Sequence, residues 1–158
     1  KFFMINKYIN IYNNLIKLTR NKKLYKEFAS QDTFSDRLII FLFHFAFFLK
    51  VFKMDKQNKL LQDIYDCIFK QLELSIREIG YGDMTINKEM KNYLNIFHSI
   101  IGKIDDWENL TNIDKKEIIS NFLSNNSDCS HLIEYFNNFL ISLKKNTLNS
   151  YIKGVINH

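Results

Sequence analysis

Proline is missing from all 158 residues, and glycine occurs only 4 times. Average usage would supply roughly eight prolines and eleven glycines at this length. So few chain breakers leave little material for the turns of an all-β fold and favour long, uninterrupted helices. Cysteine is nearly as scarce: Cys67 and Cys129 are the only two, with no CxxC pair and no histidine at ligand spacing from either. They are expected to be small buried thiols in a reducing compartment, and a disulfide between them is the other open reading. No acidic residue occurs among residues 1–26. Long apolar runs are absent too. The most apolar stretch, Leu38 to Leu49, has 12 residues and includes His44, short of the roughly 20 that a spanning helix needs. No secretory signal is expected, since Lys1 to Arg20 has neither an unbroken apolar region nor a small-residue cleavage site.

What is present reads as one globular domain. Hydrophobic residues make up 46% and charged residues 25%, values that exclude intrinsic disorder and collagen-like repetition. A chain of this size hides roughly 68–70% of its unfolded surface, so its core needs neither disulfides nor a metal. The net charge of +5 is unevenly spread. Residues 1–26 carry Lys1, Lys7, Lys17, Arg20, Lys22, Lys23 and Lys26, whereas 27–158 hold 15 basic and 17 acidic residues. The division expected is therefore a basic amphipathic N-terminal arm over 1–26 and a helical body over 27–158. In the arm, Lys7, Lys17, Arg20, Lys22 and Lys23 are candidate contacts for anionic lipid headgroups or RNA phosphates. A solvated helix in a lysine-rich composition is the plain alternative.

Hydrophobic periodicity places the helices. Ile5, Tyr8, Ile9, Tyr12, Leu15 and Ile16 predict an amphipathic helix over about 4–19, followed by a short one over about 22–29. A third, from Phe34 to Phe52, is apolar all round and is expected at the centre of the core. A long helix over about 60–79 stripes Leu61, Ile64, Tyr65, Ile68, Leu72, Ile76 and Ile79 on one side, and Gly80 and Gly82 then end it. Another runs over about 87–104, and three shorter ones cover about 114–123, 130–144 and 148–157. The fold class predicted is all-α: a single-domain bundle of about seven to eight helices around a Phe-rich central helix.

Catalytic constellations are missing. No GxSxG, P-loop, GxGxxG or HExxH occurs, so hydrolase, nucleotide and zinc-protease classes lose support and no cofactor is expected. His131 and Glu134 are spaced to share a helix face, but a solitary pair in that order is not the di-iron pattern of helical bundles. His44 reads as a neutral, hydrogen-bonded core histidine, with a buried switch or haem ligand as the functional alternative. His98 and His158 read as surface residues. The segment Ile76-Arg77-Glu78-Ile79-Gly80-Tyr81-Gly82-Asp83 reads either as an ion-paired helix end or as a shaped loop presenting Arg77, Asp83 and backbone N–H groups to a partner.

Taken in order, these segments resemble the ubiquinol–cytochrome c chaperone family, whose members assist cytochrome b synthesis and assembly. Tyr12-Asn13-Asn14-Leu15-Ile16 through Leu24-Tyr25-Lys26-Glu27-Phe28 is similar to the family's opening helix and Tyr-x-x-Phe element. Asp32-Thr33-Phe34-Ser35-Asp36-Arg37-Leu38 resembles Asp-Thr-x-Asp-Gly-Arg-Phe, and Phe43-His44 with Phe47-Phe48-Leu49 resembles the Leu-His and apolar run after it. The most specific stretch is Ile76 to Lys91, similar to Leu-Arg-Glu-Met-Gly-Val-Gly-Asp-Leu-x-Val-x-Lys-x-Met-Lys. Ser120-Asn121, His131 to Phe139 and Lys153-Gly154 follow only the helical layout. The resemblance covers about residues 8–158. Ala29 and Gln31 stand where Gly and Pro are expected, Ser35-Asp36 replaces Asp-Gly, and Phe97-His98-Ser99-Ile100 replaces Phe-Tyr-Gly-Arg.

The resemblance implies a non-enzymatic assembly factor that holds newly made cytochrome b on the way to the cytochrome bc1 complex, respiratory complex III. An RNA-, ribosome- or membrane-surface-binding adaptor without a chaperone role is the alternative. Client or partner contacts are expected at Asp32, Arg37, His44, Arg77, Glu78, Gly80, Tyr81, Gly82, Asp83, Lys88 and Lys91. Other expected partners are a small partner protein, the ribosome and the membrane surface, and DNA is not among them. The place implied is the cytoplasmic side of a bacterial inner membrane or the matrix side of the mitochondrial inner membrane.

Overall fold

The structure, a computed structural model, describes residues 2–26, 28, 34–53, 58–80, 82–123 and 128–157. Among the described residues seven α-helices run in chain order: α1 Phe2–Thr19, α2 Phe34–Phe52, α3 Asn58–Glu78, α4 Asp83–Ile104, α5 Asn112–Phe122, α6 Ser130–Lys144 and α7 Leu148–Lys153. Short 3-10 turns occupy Lys22–Tyr25 and Trp107–Asn109. The described residues form no strand.

The organiser is α2, because its side chains are apolar on every face and a helix of that kind is stable only when surrounded. Every residue from Leu38 to Phe48 is buried. Successive phenylalanines point to different neighbours. Phe41 meets Tyr12 of α1 edge-on at 5.7 Å, Phe45 stacks on Phe97 of α4 at 5.2 Å, Phe47 stacks on Phe136 of α6 at 5.2 Å, and Phe48 meets Tyr151 of α7 at 5.3 Å. Each buried ring of this kind contributes about 1.5–3 kcal/mol. No helix among the described residues is long and apolar enough to cross a membrane.

Around this hub, α1 forms one wall. Tyr8, Ile11, Tyr12 and Leu15 are buried, as its apolar spacing predicts, and the helix packs on α2, α3 and α7. Its cations Lys7 and Lys17 face outward, with Arg20 just beyond its end.

The direction of each helix follows from its ring contacts. Phe45 lies against both Tyr65 and Phe69, whereas Lys50 and Lys53 share a groove with Leu61 and Gln62, so α3 runs antiparallel to α2. Phe45 stacks on Phe97, and Lys53 pairs with Asp105 at 2.8 Å, so α4 runs parallel to α2. The start of α2, the end of α3 and the start of α4 therefore share one end of the bundle.

Helix boundaries depart from expectation where local chemistry decides them. The short helix expected over 22–29 is a 3-10 turn at Lys22–Tyr25, where Asn21 Oδ1 accepts from the Lys23 N–H and the Tyr25 hydroxyl donates to the Thr19 carbonyl. The helix expected from residue 87 begins at Asp83, because Gly82 takes the extended N-cap conformation and its carbonyl accepts from the Ile86 N–H at 2.9 Å. The last helix stops at Lys153 instead of 157. Gly154 adopts φ 76° and closes a left-handed cap, its N–H bonding to the Tyr151 carbonyl and that of Val155 to the Ser150 carbonyl. Asn146 then ties down the tail, donating to the Asn157 carbonyl at 3.0 Å and accepting from its N–H at 2.8 Å. Both cysteines are buried and neither is in a disulfide, and burial pushes both thiols up from their ordinary value.

Candidate functional site

The turn between α3 and α4 is closed on itself by its charges. The Arg77 guanidinium donates to Asp83 Oδ1 across the turn and lies 3.5 Å from Glu73 Oε1 one helical turn back. The hydrogen bond to Asp83 leads in raising the guanidinium above its ordinary value. Between these residues the backbone reverses at Gly80, whose φ of 102° is a left-handed conformation that side chains disfavour. The Gly80 N–H bonds back to the Arg77 carbonyl at 3.0 Å. Ile86, fully buried, pins the start of α4 to the core. Of the two readings of this segment, the ion-paired helix end describes its geometry. Arg77 and Asp83 face one another, leaving Glu78, Lys88 and Lys91 as the outward charges.

Sequence periodicity missed what this turn exposes. Ile79 was expected on the inward stripe, yet it lies past the helix end and is 55% exposed, while Met84 on the first turn of α4 is 88% exposed. Phe34, which opens α2 at the same end, is 39% exposed. The only available signal was their position beside Gly80, Gly82 and the break before α2, where an apolar residue has no helical neighbour to cover it.

Beside this end, α1, α2 and α3 enclose a groove of about 380 Å³ floored by Ile16, Leu38, Phe41 and Leu72, with Arg20 and Arg37 among its lining residues. A second groove, of about 350 Å³, lies toward the other end between α2, α3 and α4. Its lysines are engaged: Lys50 meets Glu108 Oε1 at 3.0 Å and Lys53 meets Asp105.

His44, expected among the client contacts, is a correction. Its ring is wholly buried, so nothing outside the fold can touch it. Nδ1 lies 2.8 Å from the Ile40 carbonyl, which can only accept, so Nδ1 carries the proton and Nε2 accepts from the Tyr135 hydroxyl at 2.6 Å. Thr19 Oγ1, which donates to the Leu15 carbonyl, sits 3.3 Å from Nδ1. The rings of Tyr135, Phe136 and Phe139 pack edge-on around the imidazole. Burial lowers its pKa to about 4, and the same cause raises the Tyr135 phenol well above its ordinary value. The neutral core reading is the one this geometry supports.

His131 likewise serves the fold, donating from Nε2 to the Leu24 carbonyl at 2.7 Å, while Glu134 faces solvent. Among the described residues no three potential ligands cluster in a way that could hold a metal. His98 is exposed, as expected, with Nε2 3.2 Å from the Tyr65 hydroxyl. Arg37 is exposed, Gly80 and Gly82 lie in the turn, and Asp32 and Tyr81 fall outside the described residues. Lys7, Lys17, Arg20, Lys22 and Lys23 are all exposed, with the Lys7 ammonium 5.5 Å from the Tyr8 ring centre.

A buried polar cluster at Trp107 escaped the sequence reading altogether. Asn137 Oδ1 accepts from Trp107 Nε1 at 2.8 Å and from the Lys115 ammonium at 3.2 Å, and that ammonium also lies 5.2 Å from the Trp107 ring centre. Trp107 and Lys115 are both buried. These three residues join the connection after α4 to α5 and α6.

The family model described as Ubiquinol-cytochrome C chaperone covers residues 26–136. That span holds α2, the α3–α4 turn and all of α5, and leaves out α1 and α7. No curated protein and no solved structure shows a match.

Proposed function

We propose, from the premise that this chain belongs to the ubiquinol–cytochrome c chaperone family, that it is a non-enzymatic assembly factor that holds newly made cytochrome b until it joins the bc1 complex. Family membership supports a chaperone role for that complex, and cytochrome b as the client is the finer step of this proposal. The single observation that carries it is the match over residues 26–136, which contains the α3–α4 turn. Support from the geometry is that Ile79 and Met84 stand exposed beside a turn bridged by the Arg77–Asp83 pair. An apolar client needs such an exposed apolar surface. Glu78, Lys88 and Lys91 flank it and set the client's orientation, while Arg77 and Asp83 act as positioning residues for the turn.

Depleting the protein in its own host tests this. Haem b absorbance and assembled bc1 complex should fall selectively, with other respiratory complexes intact. Normal cytochrome b in the depleted host would refute the assignment. An adaptor for RNA or the ribosome is the second reading, and the exposed cations Lys17, Arg20, Lys22 and Lys23 favour it. Such an adaptor loses binding steeply as salt is raised, because its contacts are with phosphates.

A further inference from the structure

We infer that the end of the bundle where α2 begins and α3 turns into α4 is a docking surface for an anionic lipid bilayer. The helix directions established above bring three exposed apolar residues to this end: Phe34 opens α2, Ile79 follows α3 and Met84 opens α4. Cations lie beside two of them, and two more follow Arg20 along the chain. Arg20 lines the same groove as Phe34, Lys22 and Lys23 lie on the 3-10 turn that follows α1, and Lys88 and Lys91 lie on the exposed face of α4. None of these five cations forms an ion pair with a described residue.

The carboxylates there do not cancel this charge. Glu73 and Asp83 are held by Arg77, and Asp36 is buried, so Glu78 and the half-buried Glu89 are what remains on this part of α3 and α4. Exposed apolar side chains with cations beside them match a membrane interface, where the former enter the headgroup boundary and the latter meet lipid phosphates. RNA would find a stacking face only at Phe34, since aliphatic side chains such as Ile79 and Met84 offer none to a base. The inference deepens the proposed function in one respect: docked this way, the bundle meets a membrane-inserted client at the bilayer surface.

The test is co-sedimentation of the 158-residue chain with vesicles of phosphatidylcholine alone or of phosphatidylcholine mixed equally with phosphatidylglycerol. Binding is expected only to the anionic vesicles. The variant Ile79→Ser/Met84→Ser should bind at least about tenfold more weakly and lose the part of binding that survives high salt. Lys88→Ser and Lys22→Ser should each cost roughly fivefold and reduce the salt dependence. All four side chains are exposed, so circular dichroism should show unchanged helix content. No binding to anionic vesicles, or binding indifferent to Ile79→Ser/Met84→Ser, overturns the inference. Capture of polyuridylate with no vesicle binding also overturns it and favours RNA. Because no client is present, failure here leaves the assembly role standing, while strong docking beside normal cytochrome b in a depleted host refutes that role alone.

Discussion

Lowering the pH from 7 to 5 should cost the folded state about 2 kcal/mol through His44 alone. Inside the bundle this imidazole has its pKa lowered from 6.5 to about 4, mainly by desolvation, which the Ile40 carbonyl offsets only in part. In the unfolded chain it takes up a proton near the ordinary value. Below about pH 6.5 the unfolded state therefore binds more protons than the folded one, and stability falls as pH drops. The loss levels off near pH 4, where the full difference amounts to about 3 kcal/mol. For a chain of this length the step from pH 7 to pH 5 corresponds to a thermal midpoint lower by about 4–8 °C. Urea unfolding at the two pH values, followed by the fluorescence of Trp107, the only tryptophan and wholly buried, measures the effect. His44→Gln, which keeps a polar group near Tyr135 but cannot titrate, should lose about 2 kcal/mol less than the wild type over the same interval. The other histidines and the carboxylates are common to both proteins and cancel in the comparison. Equal losses in the two proteins would refute the claim that the fold holds His44 neutral.

Three stability predictions concern other sites. Asn137→Leu leaves Trp107 Nε1–H and the Lys115 ammonium without their shared acceptor and should cost about 1–3 kcal/mol in urea unfolding, whereas Asn138→Leu on the exposed side of α6 should change little. Gly80→Ala and Gly82→Ala should differ in size. Neither new Cβ meets an atom within 4 Å, but Gly80 has φ 102° and Gly82 φ −70°. The first should destabilise by about 1–2 kcal/mol and the second should change stability by less than about 1 kcal/mol, because the unfolded-chain entropy it saves is offset by the poorer N-cap that Ala makes for α4. Gly154→Ala adds crowding to strain, since its Cβ would lie 3.2 Å from the Asn10 side chain at φ 76°. Its thermal midpoint should fall further than that of Gly80→Ala.

Much of this protein was written locally. Two periodicities, a narrow apolar stripe in α1, α3 and α4 and an all-round apolar α2, follow from 3.6 residues per turn. They are enough to announce an all-α bundle with the Phe-rich helix at its centre. The resemblance resided in contiguous segments too, chiefly Asp32 to Leu49 and Ile76 to Lys91, so the family was legible without coordinates. Helix ends were less so. Gly82 looked like a turn residue and Gly154 lay inside an expected helix, and only their backbone angles show that the first opens α4 early and the second closes α7 early.

What the tertiary structure alone decided are the relations between distant residues. That His44 is sealed depends on Thr19 and Tyr135, which lie 25 and 91 residues away. The joining of Lys115, Trp107 and Asn137, and the gathering of Phe34, Ile79 and Met84 at one end with Arg20 beside Phe34, depend on packing that no local pattern encodes. The sequence by itself determined which residues must be inside, because burial follows hydrophobic period. Which polar groups find one another, and which apolar residues are left uncovered, depended on how seven helices share one core, and that is a property of the packed chain.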